Sequence, residues 1–271
     1  MQGRLLPMVG GRIQSFPGPG WEREFPLAAE LGFASIELTI EMDSAETHPI
    51  LDPQGRAAIR RLATEHRVAL AGLGLDTAME DPILAADPEA RARSVARTVG
   101  LMEAAAETGL PMIELPLLNA CGLGTPEALD ALESVMAELL PRAEALGIDV
   151  LCEVDIAGPA VAAMLARIAH PRLGITYDSG NALWFGHDPD QDLPHYPAAI
   201  RNVHIKDIVP GQYTVPLGQG QVKFDRVFSH LAALGYGGGF ILQAARQDDD
   251  LGAARDYLAF TRGLITAHLG G

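Results

Sequence analysis

Four residues carry the most chemistry in this sequence: Glu153 in CEV, Asp178 in YDSGN, His204 in VHIKD and Gln243 in FILQAAR. They are separated by 25, 26 and 39 residues, and each closes a short apolar run. Two carboxylates, an imidazole and an amide oxygen make a mixed nitrogen and oxygen donor set. Such a set suits one divalent ion of the Mn, Zn, Mg, Fe or Co kind. Taken singly, each residue is equally well read as a polar strand end bonded to its neighbours. Their recurrence in successive units favours one shared site. Gln243 differs from the rest, because a side-chain amide can coordinate but is essentially non-basic.

The apolar runs that end in these residues recur along the whole chain. After an irregular start near Met1–Leu5, strands are expected at 34–40, 68–75, 111–118, 148–154, 172–178, 200–206 and 239–243. Between them lie Ala-, Leu-, Glu- and Arg-rich stretches with helical periodicity, Pro just inside the start and Gly just past the end. The phrases ELGF, ETGL, ALGI and ALGY mark four such ends. Eight strands and about eight helices in this length predict an α/β fold, a (β/α)8 TIM barrel as a single domain over residues 1–271. A doubly wound open sheet is the alternative, disfavoured because no glycine-rich dinucleotide turn follows the first strand. In SIELTIE the apolar Ile36, Leu38 and Ile40 alternate with Glu37, so Glu37 is expected to face the lumen, as is Glu114 in MIELPLL. A barrel lumen is normally packed with branched apolar side chains, so carboxylates there suggest a site.

Composition narrows the function classes. The 271 residues are 48% hydrophobic, with 20 basic against 35 acidic residues and a net charge of −15. A surface of that sign repels phosphate backbones and argues against nucleic acid as a partner. The two cysteines, Cys121 and Cys152, fit neither a zinc finger nor a disulfide framework and suit a reducing compartment. No apolar run reaches membrane-spanning length and none resembles a signal peptide, so a soluble, cytoplasmic protein with no membrane partner is expected. A homo-oligomer is compatible with all of this.

The stretches LGFASIEL, CEV, YDSGNALWFGHDP, IRNVHIKD, VPLGQGQVKFDRVF and GYGGGFILQAAR together resemble the xylose-isomerase-like TIM barrels. These are the sugar-phosphate isomerase and epimerase group that includes hexulose-phosphate 3-epimerases. The resemblance implies a small carbohydrate substrate and a metal held by Glu153, Asp178, His204 and the residue at 243. The group usually has Glu where this chain has Gln243, and Asp where it has Lys223. In the implied reaction, a metal-chelated ketose loses a carbon-bound proton to a carboxylate and passes through an enediolate. Gln243 cannot be a base. It also lowers the formal ligand charge from three negatives to two, leaving a stronger Lewis acid. One-base isomerisation, lyase or dehydratase chemistry on a related polyol or keto acid, and epimerisation through Glu37 or Glu114 stay open, as does a sugar-binding barrel with little turnover.

Other residues are weighed against plainer roles. Glu153 and Lys206 are the catalytic candidates. Lys206, two residues past His204, faces either a substrate oxygen or an ion pair with Glu37 or Glu114. Substrate contacts are expected from Glu37, Glu114, Asn181, His187 and Arg246. A capped turn explains Asn181 nearly as well, and a surface position His187. LGQG reads first as a turn and second as a lid. Trp21, Trp184 and Phe185 read first as core and second as the wall of a sugar pocket. An endonuclease-IV-like phosphodiesterase is disfavoured, because the early strands offer no histidines for a multi-metal cluster.

Overall fold

In the computed structural model, which describes residues 3–270, the expected strands fall within a residue or two of their places. They are β1 (Ser35–Ile40), β2 (Ala69–Leu75), β3 (Met112–Leu117), β4 (Asp149–Val154), β5 (Leu173–Asp178) and β6 (Ile200–Ile205). A two-stranded hairpin, β7 (Asp207–Ile208) and β8 (Thr214–Val215), precedes β9 (Phe240–Leu242). Seven strands form one sheet in the order β1-β2-β3-β4-β5-β6-β9, every neighbour parallel. Helices connect them, so the sheet curls into a nearly closed TIM barrel. The helix punctuation follows the sequence. Pro53, Pro88 and Pro126 open helices behind the capping side chains of Asp52, Asp87 and Thr125; Gly109 and Gly147 close the latter two, and Gly32 an earlier helix, in left-handed conformations.

The eighth strand is a correction. Among the described residues the N-terminal segment forms no ladder, and Met1 and Gln2 lie outside them. Gly3–Leu6 still fills the eighth place: Arg4 and Leu5 share a small cavity with Ile36 of β1 and Leu242 of β9. The backbone N–H groups of Gly3 and Leu5 donate to the buried Glu24 carboxylate (2.9 and 3.3 Å), and Arg4 donates to the Ala245 carbonyl (3.0 Å). Side chains thus satisfy groups that a strand would pair along its edge.

Arg246 completes this staple rather than facing the lumen. Its guanidinium donates to the carbonyls of Leu6 (2.7 Å), Ile13 (3.2 Å) and Gly3, and to Asp250 (2.8 Å). The expected grip on an anionic substrate group is therefore corrected to a structural role. Arg246→Met should lower stability by about 1–3 kcal/mol, the cost of stranding buried carbonyls, while KM of the folded protein stays unchanged. Urea denaturation and steady-state kinetics read both. A rise in KM without loss of stability would contradict it.

Strand register places the lumen side chains. Paired residues of parallel strands face the same way, and Thr39, Gly74, Glu114, Leu151 and Gly174 form one continuous rung. Two residues further on, Pro116 pairs with Glu153, and beyond β5 Asp178 pairs with His204. Alternation from these positions turns Glu37, Asp76, Thr176, Asn202, Lys206 and Gln243 toward the same interior.

Candidate functional site

Around His204 the structure gathers Glu37, Glu114, Glu153 and Asp178, all buried. Two faces of one imidazole divide this cluster. Nε2 lies 3.0 Å from Glu37 Oε1 and 3.2 Å from Glu114 Oε2. Asn202 Nδ2 braces both carboxylates (2.7 Å to Glu37, 3.3 Å to Glu114), and the Thr176 hydroxyl donates to Glu114 (2.7 Å). On the other face, Nδ1 lies 3.8 Å from Asp178 Oδ2.

Six buried side-chain polar atoms lack a hydrogen-bond partner among the described residues, and three of them are Asp178 Oδ2, His204 Nδ1 and Gln243 Oε1. Buried polar atoms are almost always paired. Three such unpaired atoms lie on residues singled out from sequence, and Glu153, Asp178 and His204 offer ligand atoms within 4.8 Å of one another, a set that fits a divalent cation. The other face of His204 has the geometry of a hydrogen bond that fixes a metal-binding imidazole. Gln243 turns toward the same interior because its backbone N–H still donates to the Ile205 carbonyl (3.0 Å), one residue past β9.

Charge follows from this packing. Burial disfavours a charged His204, but Glu114 and Glu37 outweigh it and raise its pKa to about 10. Burial likewise pushes against ionised Glu37, yet the imidazole beside it holds that carboxyl below its usual range. Glu114 goes well above the usual range through burial, reinforced by the charges of Glu37 and Glu153. Glu153 is raised by burial and by Asp178.

The remaining expectations separate clearly. Lys206 pairs with neither Glu37 nor Glu114: its Nζ is 3.1 Å from Asn181 Oδ1 and 3.3 Å from Asp178 Oδ2. Its stem crosses Gly180, where an added Cβ would come within 2.6 Å of Lys206 Cγ, so the YDSGN turn needs glycine there. Asn181 donates its side chain to Glu153 and its backbone N–H to Asp178 Oδ1 (2.7 Å), so it is more than a turn residue. His187 is half-buried rather than on the surface, with Nε2 at the Asp155 carbonyl (3.1 Å) and Nδ1 3.5 Å from Asp192. It lines a cleft with Glu153, Asp178 and Asn181. Glu37 and Glu114 are hydrogen-bonded behind His204 instead of being offered to a substrate at the rim. Lys223, where the resembling group has Asp, pairs with Asp188 (2.7 Å). LGQG is a turn whose Gly218 and Gly220 N–H groups donate to Asp207 (both 2.9 Å). Trp21 is buried edge-on to Phe25, whereas Trp184 is half exposed.

Three residues escaped the sequence reading: Thr176, Asn202 and Asp76. The signal was present for the first two, since each lies two residues before a singled-out strand end and so faces the same way. Asp76, just past β2, starts the short helix Thr77–Glu80 and reads as an ordinary cap. It is half-buried, and burial followed by the charges of Glu41, Glu153 and Glu80 raises its pKa to about 7.

Comparison with known proteins agrees with the fold. A model of the family described as xylose isomerase-like TIM barrel matches residues 25–264. L-ribulose-5-phosphate 3-epimerase UlaE of Shigella flexneri is 25% identical over 239 residues, 83% of this chain and 82% of that protein. Inosose dehydratase of Bacillus cereus is 26% identical over 183 residues, 59% of this chain and 61% of that protein, so the chain spans less than two thirds of that relative. The solved structure of an L-ribulose 3-epimerase shares the fold, with a TM-score of 0.78 at 16% identity over 93% of this chain and 91% of that one. No helix among the described residues is long and apolar enough to cross a membrane.

Proposed function

We propose that this chain, which belongs to the xylose isomerase-like TIM barrel family, is an isomerase or epimerase of a small sugar or sugar phosphate that works with one divalent metal ion. The observation that carries this reading is the approach of Asp178 Oδ2 to His204 Nδ1, 3.8 Å apart and neither in a hydrogen bond, beside Glu153 in the buried interior toward which Gln243 also turns. Glu153, Asp178, His204 and Gln243 would hold the ion. When bound, it supplies a Lewis acid for a carbonyl oxygen and a counter-charge for an adjacent oxyanion.

The chain's own residues do the rest. Glu153, its carboxyl raised and gripped on one oxygen by Asn181, accepts a carbon-bound proton next to the carbonyl. Lys206, held between Asn181 and Asp178, presents an ammonium to a substrate oxygen. Asn181 and His187 line the cleft that opens on this group and orient hydroxyls.

Incubation with D-fructose, D-tagatose, L-ribulose or L-ribulose 5-phosphate in deuterium oxide, followed by NMR, tests the reading. Deuterium should enter next to the carbonyl of at least one ketose, and a chelator should stop it. No incorporation in any of them, with metal supplied, would overturn it. The similarity to inosose dehydratase favours a second reading, in which the same proton abstraction is followed by loss of water. An inosose in the same panel separates the two by its product.

Removing a ligand should remove the ion. Gently purified protein is expected to carry about one divalent ion per chain and Asp178→Ala only a small fraction of that, read by elemental analysis. Equal content in both would contradict the ligand set.

A further inference from the structure

We infer that Asp76 is a second catalytic carboxylate of this site, exchanging a proton with the substrate from the β2 side while Glu153 acts from the β4 side. The inference rests on the reading of the site as a sugar isomerase or epimerase, and supplies the proton-transfer group that the neutral Gln243 cannot.

Register places the residue. Gly74 of β2 pairs with Glu114 of β3, and Pro116 of β3 pairs with Glu153 of β4. Asp76 follows two residues past Gly74, where β2 has ended and the chain turns into the helix Thr77–Glu80 at the rim next to Pro116 and Glu153. Two strand spacings of about 4.8 Å, from β2 across β3 to β4, set the scale of the separation between the Asp76 and Glu153 backbones. A small sugar over that proline is reached from both sides.

The neighbouring carboxylates are engaged elsewhere. Glu41 accepts from the Phe16 N–H (3.0 Å) and the Ser44 hydroxyl (3.0 Å). Glu80 accepts from Arg12 (2.7 Å) and the Met42 N–H (2.6 Å). Glu37 and Glu114 are hydrogen-bonded behind His204, and Asp155 accepts from the Leu123 N–H (2.9 Å). Asp76 has no side-chain hydrogen bond among the described residues, although it stands at a helix N-cap. Asp52, Asp87, Asp178, Asp188 and Asp249 all use that position to accept backbone N–H groups. The backbone of Asp76 is already helical, which accounts for the missing cap bond and leaves a half-buried carboxyl within electrostatic reach of Glu153. Burial, followed by the charges of Glu41, Glu153 and Glu80, raises its pKa to about 7, where a carboxyl can both give and take a proton.

The step balances without a further reagent. Glu153 takes the proton from the carbon beside the carbonyl. The C–H pair becomes a C–C double bond as the carbonyl pair moves to oxygen, giving an enediolate. Protonated Asp76 then gives its proton to that carbon from the other side, and the oxygen pair re-forms the carbonyl. Exchange with water returns Glu153 to its ionised form and Asp76 to its acid.

The test follows deuterium incorporation and stereochemistry together, for wild type, Asp76→Asn and Asp76→Glu with the four ketoses above. Wild type should exchange and invert at one carbon. Asp76→Asn should keep its metal content and its exchange with retention, but lose inversion by about 100-fold or more, and Asp76→Glu should restore part of it. Undiminished inversion in Asp76→Asn would overturn the role of Asp76 and leave the reading of the site standing. Exchange without inversion in the wild type would do the same, because one base then suffices. No exchange by any form would overturn both.

Discussion

Glu153→Gln should lower turnover by about two to four orders of magnitude while the divalent ion stays bound. The replacement is nearly isosteric. Its amide oxygen can still coordinate and still accept from Asn181, as the Glu153 carboxylate does. What disappears is the ability to take a proton. Burial and Asp178 already raise Glu153 above an ordinary carboxyl, so its proton affinity is suited to abstraction and not only to charge balance. Metal content by elemental analysis and kcat on whichever ketose exchanges deuterium read the two effects separately. Full activity in Glu153→Gln would remove it from proton transfer, and loss of activity in step with loss of metal would make it a ligand alone.

Metal affinity should rise by about tenfold per pH unit from neutrality toward pH 10, because the ion can reach His204 Nδ1 only after the imidazole gives up a proton. Without metal, that imidazole is held charged up to about pH 10 by Glu114 and Glu37 despite its burial. Proton release on binding follows, measurable by calorimetry in buffers of different ionisation enthalpy. The same shift acts on the metal-free fold. A histidine raised from 6.5 to about 10 contributes stability that is complete below about pH 6.5 and is lost as pH climbs through about 10. Metal-free protein should therefore unfold at lower urea as pH rises across that window, and metal-loaded protein should resist the change. A flat affinity profile across the window would contradict the assignment of His204 as a ligand.

Strand order and the inward residues were legible because a strand's side chains alternate strictly and one face of each had to be apolar. The same rule brought Glu37, Glu114, Glu153, Asp178, His204 and Lys206 into one interior from local patterns alone. It could not tell which of them would touch. Alternation alone allows Lys206 an ion pair with Glu37 or Glu114, but the stagger between strands sets those two against His204 and brings Lys206 to Asp178. Contacts between distant segments were out of reach for a different reason. Arg246 and Glu24 are consumed by the N-terminal segment, from which they lie 19 or more residues away in sequence, following no period. Asp76 was hidden by its own respectability, since an aspartate before a helix is ordinarily a cap.

On the proposed function, one divalent ion sits on the Nδ1 side of His204. Crystals grown with manganese at neutral pH and measured near its absorption edge test it most directly. The expected result is a single anomalous peak at about 2.0–2.3 Å from His204 Nδ1, Asp178 Oδ2, Gln243 Oε1 and a Glu153 oxygen. A peak on the opposite face of the ring, bonded to Nε2, Glu37 and Glu114, or no peak at manganese concentrations that saturate deuterium exchange, would contradict it.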